Sequence, residues 1–154
     1  GNVAAFNSAW SSTKNATTPT TRREEGFWLL IDTKQGSFTQ WSTDVQYPPS
    51  ANPDGAGFTP SPRPPDTPST ITPISEPRYT IGYFHTHTPM TYRLGVLPRP
   101  VSPSGADMRF HGSQMVPGVV YDYVGIGGYL YAAHDINDPA QLYFVLPSRR
   151  PTPP

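Results

Sequence analysis

Apolar residues recur along the chain in two periods, and the change of period separates predicted helix from predicted strand. Val3, Phe6 and Trp10 recur at spacings of three and four with alanines between them, which predicts a short helix over 2–10. The Ser-, Thr- and Pro-containing stretch over 11–21 is expected to end it. Glu24-Glu25-Gly26-Phe27-Trp28-Leu29-Leu30-Ile31-Asp32 follows as an apolar run of strand length. Residues 33–36 supply a turn, and Ser37-Phe38-Thr39-Gln40-Trp41-Ser42 alternates polar and apolar positions, so these segments predict a β-hairpin.

Strand character resumes over 78–86, and residues 88–103 read as a loop. Residues 104–114 fit a helix with Ser104 as N-cap, Gly105-Ala106-Asp107 in its first turn and Pro117 as its stop. Three closing strands are expected over 119–124, 128–133 and 142–146, with a frayed tail over 147–154. Gly125-Ile126-Gly127-Gly128 is read as a hairpin turn rather than a phosphate loop, because no helix opens after it. The order helix, hairpin, strand, helix, strands predicts an α+β domain: a curved, mostly antiparallel sheet flanked by helices.

Composition changes this picture in one place. Proline is abundant, 21 residues in 154, and much of it falls within 47–77, among Gly, Ser, Thr and Asp. Proline removes a backbone donor and fixes φ, so this stretch cannot extend a sheet ladder. It is read as a surface insertion, partly polyproline-like, whose excision over 52–75 leaves the fold standing. Residues 1–146, this insertion included, are read as one domain. The chain begins at Gly1 rather than Met, as a piece of a longer polypeptide does.

Charge excludes more than it suggests. Eleven basic and eleven acidic residues give a formal net charge of zero, which supplies no general pull toward nucleic acid or acidic membrane. The apolar run Trp28-Leu29-Leu30-Ile31 is far short of the roughly 20 residues that span a bilayer. There is no cysteine, which rules out disulfides, thiolate metal sites and a thiol nucleophile.

The candidate chemistry lies in Gly82-Tyr83-Phe84-His85-Thr86-His87-Thr88-Pro89. Residues two apart on a strand point to one face, so both imidazoles project together from Cα atoms about 7 Å apart. Two such rings can converge on one ion, and a third ligand is then needed. Asp107, beyond a loop and in the first turn of a helix, has Ser104 three residues before it. His111 follows Asp107 by four residues on the same helical face, where it reads either as a partner behind the ligands or as an exposed helix histidine. His134 reads as a surface residue.

An early Glu, then His85-Thr86-His87-Thr88-Pro89, then Ser104-Gly105-Ala106-Asp107, resembles the JAMM (JAB/MPN-type) zinc metalloprotease signature. It looks closest to bacterial JAB-like domains of the DUF4329 type, which occur in polymorphic-toxin and secreted proteins. The resemblance implies a JAB/MPN-like fold with cytidine-deaminase-like layering, one zinc ion, and His85, His87 and Asp107 as its ligands. Ser104 would support the tetrahedral intermediate, and the early glutamate would be general base. Glu24 gives the Glu-x-Gly spacing of the bacterial group, whereas Glu25 starts the apolar run, and only one of these neighbours can enter the site. The segment Thr91 to Pro100 would then be an insertion beside the cleft, in the position of a substrate-gating loop.

The implied activity is hydrolysis of amide bonds in a protein or peptide, as a peptidase or isopeptidase. Deubiquitinase-like cleavage and self-processing both fall in that class. The implied setting is a secreted or delivered bacterial effector, part of a larger polypeptide, with a partner or immunity protein. A catalytically inactive binding module on the same fold is the alternative reading, since fold alone never fixes function. A metal-dependent nuclease is a third, against which the neutral charge argues.

Overall fold

The structure is a computed structural model that describes residues 2–16, 23–46, 59–67, 77–87, 99–100, 103–123, 129–130 and 140–145. In chain order these form α1 (Asn2–Asn15), β1 (Glu24–Asp32), β2 (Ser37–Gln46), β3 (Arg78–Thr86), β4 (Arg99–Pro100), α2 (Gly105–Gln114), β5 (Gly118–Tyr123), β6 (Tyr129–Leu130) and β7 (Ala140–Val145). The fold is α+β. Five strands make one open sheet in the order β2-β1-β3-β5-β7, and β4 pairs with β6 in a separate two-stranded ladder. The large sheet is antiparallel except between β3 and β5, which run parallel and are joined through α2.

A helix covers each face. Phe27, Leu29 and Phe84 pack against Phe6 and Ala9 of α1 on one side. Trp28, Leu30, Tyr83 and Val116 form a second cluster on the other side, with Phe110 of α2 packed against it. This explains why β1 reads as an unbroken apolar run: every residue but Ile31 is buried, because neither face meets water. The hairpin turn is closed by Asp32, whose carboxylate accepts from the amides of Lys34 and Gln35 at 2.8 and 2.9 Å. An extra residue sits on β2 between the pairs Gly26↔Asp44 and Trp28↔Trp41, where Ser42 adopts φ 54°. The bulge therefore lies on β2 and leaves the alternation of β1 intact.

Two expectations change. Helix α1 continues to Asn15 instead of ending at Trp10, and Val3, assigned to its apolar face, is 67% exposed. The buried stripe is Phe6, Ala9, Trp10 and Thr13. Thr13 is retained in the helix by a tertiary contact: its hydroxyl lies 2.6 Å from that of Thr86, and both side chains are fully buried. The closing segment around 128–133 is short where described: Tyr129–Leu130 pairs with Arg99–Pro100 and does not join the main sheet.

Residues 59–67, the middle of the expected insertion, are packed on the α2 side of the sheet. Trp28 donates its indole N–H to the Ser61 carbonyl at 3.0 Å, and the Ser61 amide donates to Asp44 at 2.9 Å. Farther along, Thr80 donates its hydroxyl to the Pro64 carbonyl and its amide to Asp66. Thr67 then exchanges backbone bonds with Arg78. Proline-rich chain lacks donors but keeps its carbonyls, and these serve as acceptors for buried groups of β1 and β3. Residues 47–58 and 68–76, the tail 147–154, His134, residues 125–128 and most of the 91–100 segment lie outside the described residues.

Removal of 52–75 is therefore expected to destabilise the domain instead of leaving it standing. The Trp28 indole and both donors of Thr80 lose their partners, at about 1–3 kcal/mol for each group left unsatisfied. A loss of at least about 3 kcal/mol is a large share of ordinary domain stability. Thermal melting of the deletion variant beside the parent checks this, and an unchanged midpoint would restore the plain surface reading.

Candidate metal centre

The site is assembled where β3, α2 and β5 meet. His85 lies on β3 opposite Gly26 of β1 and beside Val120 of β5. His87 stands one residue past the strand, yet its amide still donates to the Tyr121 carbonyl at 2.9 Å, which continues the ladder. The two rings thus share a face, as period-two geometry requires. Between them, Thr86 points to the opposite face, where its hydroxyl meets Thr13 and accepts from the Glu25 amide at 3.0 Å. The histidine pair is fixed from behind by α1.

Asp107 enters from the start of α2. Ser104 is the N-cap, its hydroxyl accepting from the Asp107 amide while Asp107 accepts from the Ser104 amide in a capping box. That arrangement holds the Asp107 carboxylate over the β3 end. Its Oδ1 is 3.2 Å from His85 Nε2, its Oδ2 is 3.2 Å from His87 Nε2, and the two Nε2 atoms are 3.3 Å apart. Donor atoms about 2.0–2.1 Å from a tetrahedral zinc lie about 3.3–3.4 Å from one another, which the two Nε2 atoms match, and one ligand atom from each of the three residues lies within 4.8 Å of the others. Imidazole nitrogen and carboxylate oxygen are also donor types that zinc accepts. Among the described residues no fourth His, Asp or Glu joins this group. His85 is buried, whereas the His87 and Asp107 side chains keep 12% and 16% exposure.

The electrostatics are those of a site assembled around opposite charge. Burial works to lower the pKa of His87, but hydrogen bonds to Asp107 and Asp122 outweigh it and hold the ring up at about 9. For Asp107 burial acts upward, and the hydrogen bonds to His85 and His87 overcome it, holding the carboxyl far below the usual carboxylate range.

Asp122 is a site residue that the sequence reading missed. It is fully buried on β5, and its Oδ2 lies 2.9 Å from His87 Nδ1. A carboxylate there keeps the proton on Nδ1 and leaves the Nε2 lone pair for an ion, and it also fixes the plane of the ring. The available signal was a carboxylate inside the apolar run Val119-Val120-Tyr121-Asp122-Tyr123. Asp122→Ala is expected to weaken zinc affinity about 10- to 100-fold while leaving stoichiometry at saturation unchanged. Asp122→Asn, which can still accept from Nδ1, is expected to lose less. Chelator-competition titration checks both, and parent-like affinity in the Ala variant would remove Asp122 from the site.

The other expected residues are placed as follows. Both glutamates are buried. Glu25 lines a depression with Ala5, Ser8 and Ala9 of α1 and is paired with Arg23, so it belongs to the α1 face. Glu24, by the alternation of β1 and the pairing Gly26↔His85, belongs to the face that carries the histidines. Ser104 is exposed beside Asp107. His111 is fully buried, and its ring lies nearly parallel to that of His85 with centroids 6.5 Å apart. It is therefore behind the ligands, and the exposed-histidine reading does not hold.

Comparison of the chain with models of known protein families, with curated proteins and with solved structures gives no match.

Proposed function

We propose that this chain is a metal-dependent hydrolase of amide bonds, a peptidase or isopeptidase that acts on a protein or peptide. The observation that carries the reading is the convergence of His85, His87 and Asp107 at 3.2–3.3 Å separations. Three protein donors leave a coordination position for water or substrate, the pattern of a catalytic zinc site in contrast to a closed structural one. A helix on each face of the sheet is compatible with the JAB/MPN-like layering that the motif resemblance implies, and supports the same reading.

Zinc, when bound, supplies Lewis acidity toward a scissile carbonyl and toward water. Every other task falls to this chain. Asp122 holds His87 by Nδ1, and the α2 capping box holds Asp107, so the donors are positioned before substrate arrives. Glu24 takes the proton from the attacking water and returns it to the departing amine nitrogen. The Ser104 hydroxyl accepts from the Asp107 amide but keeps its own proton, which it donates toward the carbonyl oxygen as charge develops there.

The test is turnover by zinc-loaded protein on a panel of peptide and ubiquitin-type isopeptide substrates, with a chelated sample and a His87→Ala variant beside it. Cleavage that disappears in both controls is the expected result. A folded, zinc-loaded protein inert across the panel would favour the binding-module alternative.

A further inference from the structure

Helix α2 and strand β5 are joined by three residues, Met115 to Pro117, and the helix folds back on the strand that follows it. The contact that closes this turn is between His111 and Gly118. A Cβ built on Gly118 would lie closer than 3.0 Å to three atoms of the His111 imidazole, a separation that real Cβ atoms essentially never show. The ring occupies the space that any other residue at 118 would need, and it is fully buried there. The surroundings leave little room to adjust. Gly118 pairs with Tyr83 of β3 and with Val145 of β7, the Tyr83 amide donates to the Pro117 carbonyl, and the His111 carbonyl accepts from the Met115 C-cap amide.

The two elements joined by this contact carry the two carboxylates on either side of His87. Asp107 lies four residues before His111 on the same face of α2 and reaches His87 Nε2. Asp122 lies four residues after Gly118, hence on the same face of β5, and reaches His87 Nδ1. We infer that His111 and Gly118 are positioning residues for the metal centre: the imidazole seated on a residue without a side chain sets the distance between α2 and β5, and so the separation of the two carboxylates about His87. The inference rests on the metal-site reading. It assigns neither residue a contact with the ion or the substrate.

The experiment is zinc titration against a chromophoric chelator, with circular dichroism and thermal melting of each sample, for the full chain and for Gly118→Ala, His111→Ala and the double variant. Gly118→Ala is expected to keep its secondary structure and to bind zinc about 10- to 100-fold more weakly, the range typical for losing a group that orients a ligand. His111→Ala, which removes bulk, is expected to bind more weakly than the parent. The double variant relieves the clash and is expected to bind more tightly than Gly118→Ala alone, a non-additivity that a general loss of stability does not produce.

Parent-like affinity in His111→Ala would overturn the inference even if Gly118→Ala failed to fold. So would a double variant no tighter than a folded Gly118→Ala. A parent that binds no zinc would instead remove the metal-site reading itself, and the inference with it.

Discussion

Zinc supplied at neutral pH is expected to bind at about one ion per chain, and Asp107→Ala and His87→Ala are each expected to lose it on buffer exchange. One donor atom from each of the three residues already lies within 4.8 Å of the others, so the donors are gathered before the ion binds, and loss of any one leaves two. Because loss of an orienting group alone typically costs 10- to 100-fold, loss of a direct ligand is expected to cost more than about 100-fold. Glu25→Ala, on the opposite face, should retain the ion and serves as the control. Elemental analysis of the purified proteins reads the result, and zinc retained in both ligand variants would end the assignment.

The same titration has a pH dependence whose sign follows from His87. With its pKa raised to about 9, the metal-free ring is protonated at neutral pH, and an ion must displace that proton. Affinity is expected to rise by about tenfold per pH unit up to about 9 and to level off above it, one proton being released at this ring. Metal-free stability runs the other way at the alkaline end. The His87 contribution is fully present below its ordinary pKa of about 6.5 and is lost as pH rises through about 9. The Asp107 carboxyl, depressed by its two histidines, contributes above about pH 4, and that contribution is lost only as pH falls through its lowered folded-state value. Chelation at neutral pH should therefore leave the chain folded, with the His87 proton in the place of the ion.

What the sequence made legible was what depends on local period. His85 and His87 were identifiable as one site because strand geometry puts alternate residues on one face, and Ser104 and Asp107 because a capping box is a local pattern. What it concealed depends on distant partners. Asp122 is an ordinary strand carboxylate until β5 lies parallel to β3 and brings it under His87. Thr13 is a weak helix former in a Ser- and Thr-rich stretch, and its partner Thr86 lies 73 residues away. The anchoring of 59–67 runs in part through the backbone carbonyls of Ser61 and Pro64, which no side-chain pattern reveals, and in part through Asp44 and Asp66, whose partners are distant in sequence. The choice between Glu24 and Glu25 needed the register: Gly26 faces His85, and the bulge lies on β2 instead of β1.

That choice carries the largest expected effect on activity. Glu24→Gln keeps shape and burial but removes the proton acceptor, so the variant should bind zinc as the parent does and lose about 10²–10⁴-fold in kcat. The loss should fall on kcat in particular, because a base acts on the proton in flight and not on substrate affinity. Glu25→Gln breaks the pair with Arg23 on the α1 face, so it should lower the melting temperature while keeping kcat within a few-fold of the parent. Steady-state kinetics on a substrate cleaved by the parent, with metal content measured on the same samples, separates the two. Full activity in Glu24→Gln with collapse in Glu25→Gln would mean that the base reaches the metal from the other face, contrary to the alternation of β1. Loss of zinc in Glu24→Gln would instead make Glu24 a ligand or the support of one, and the proton would need another carrier.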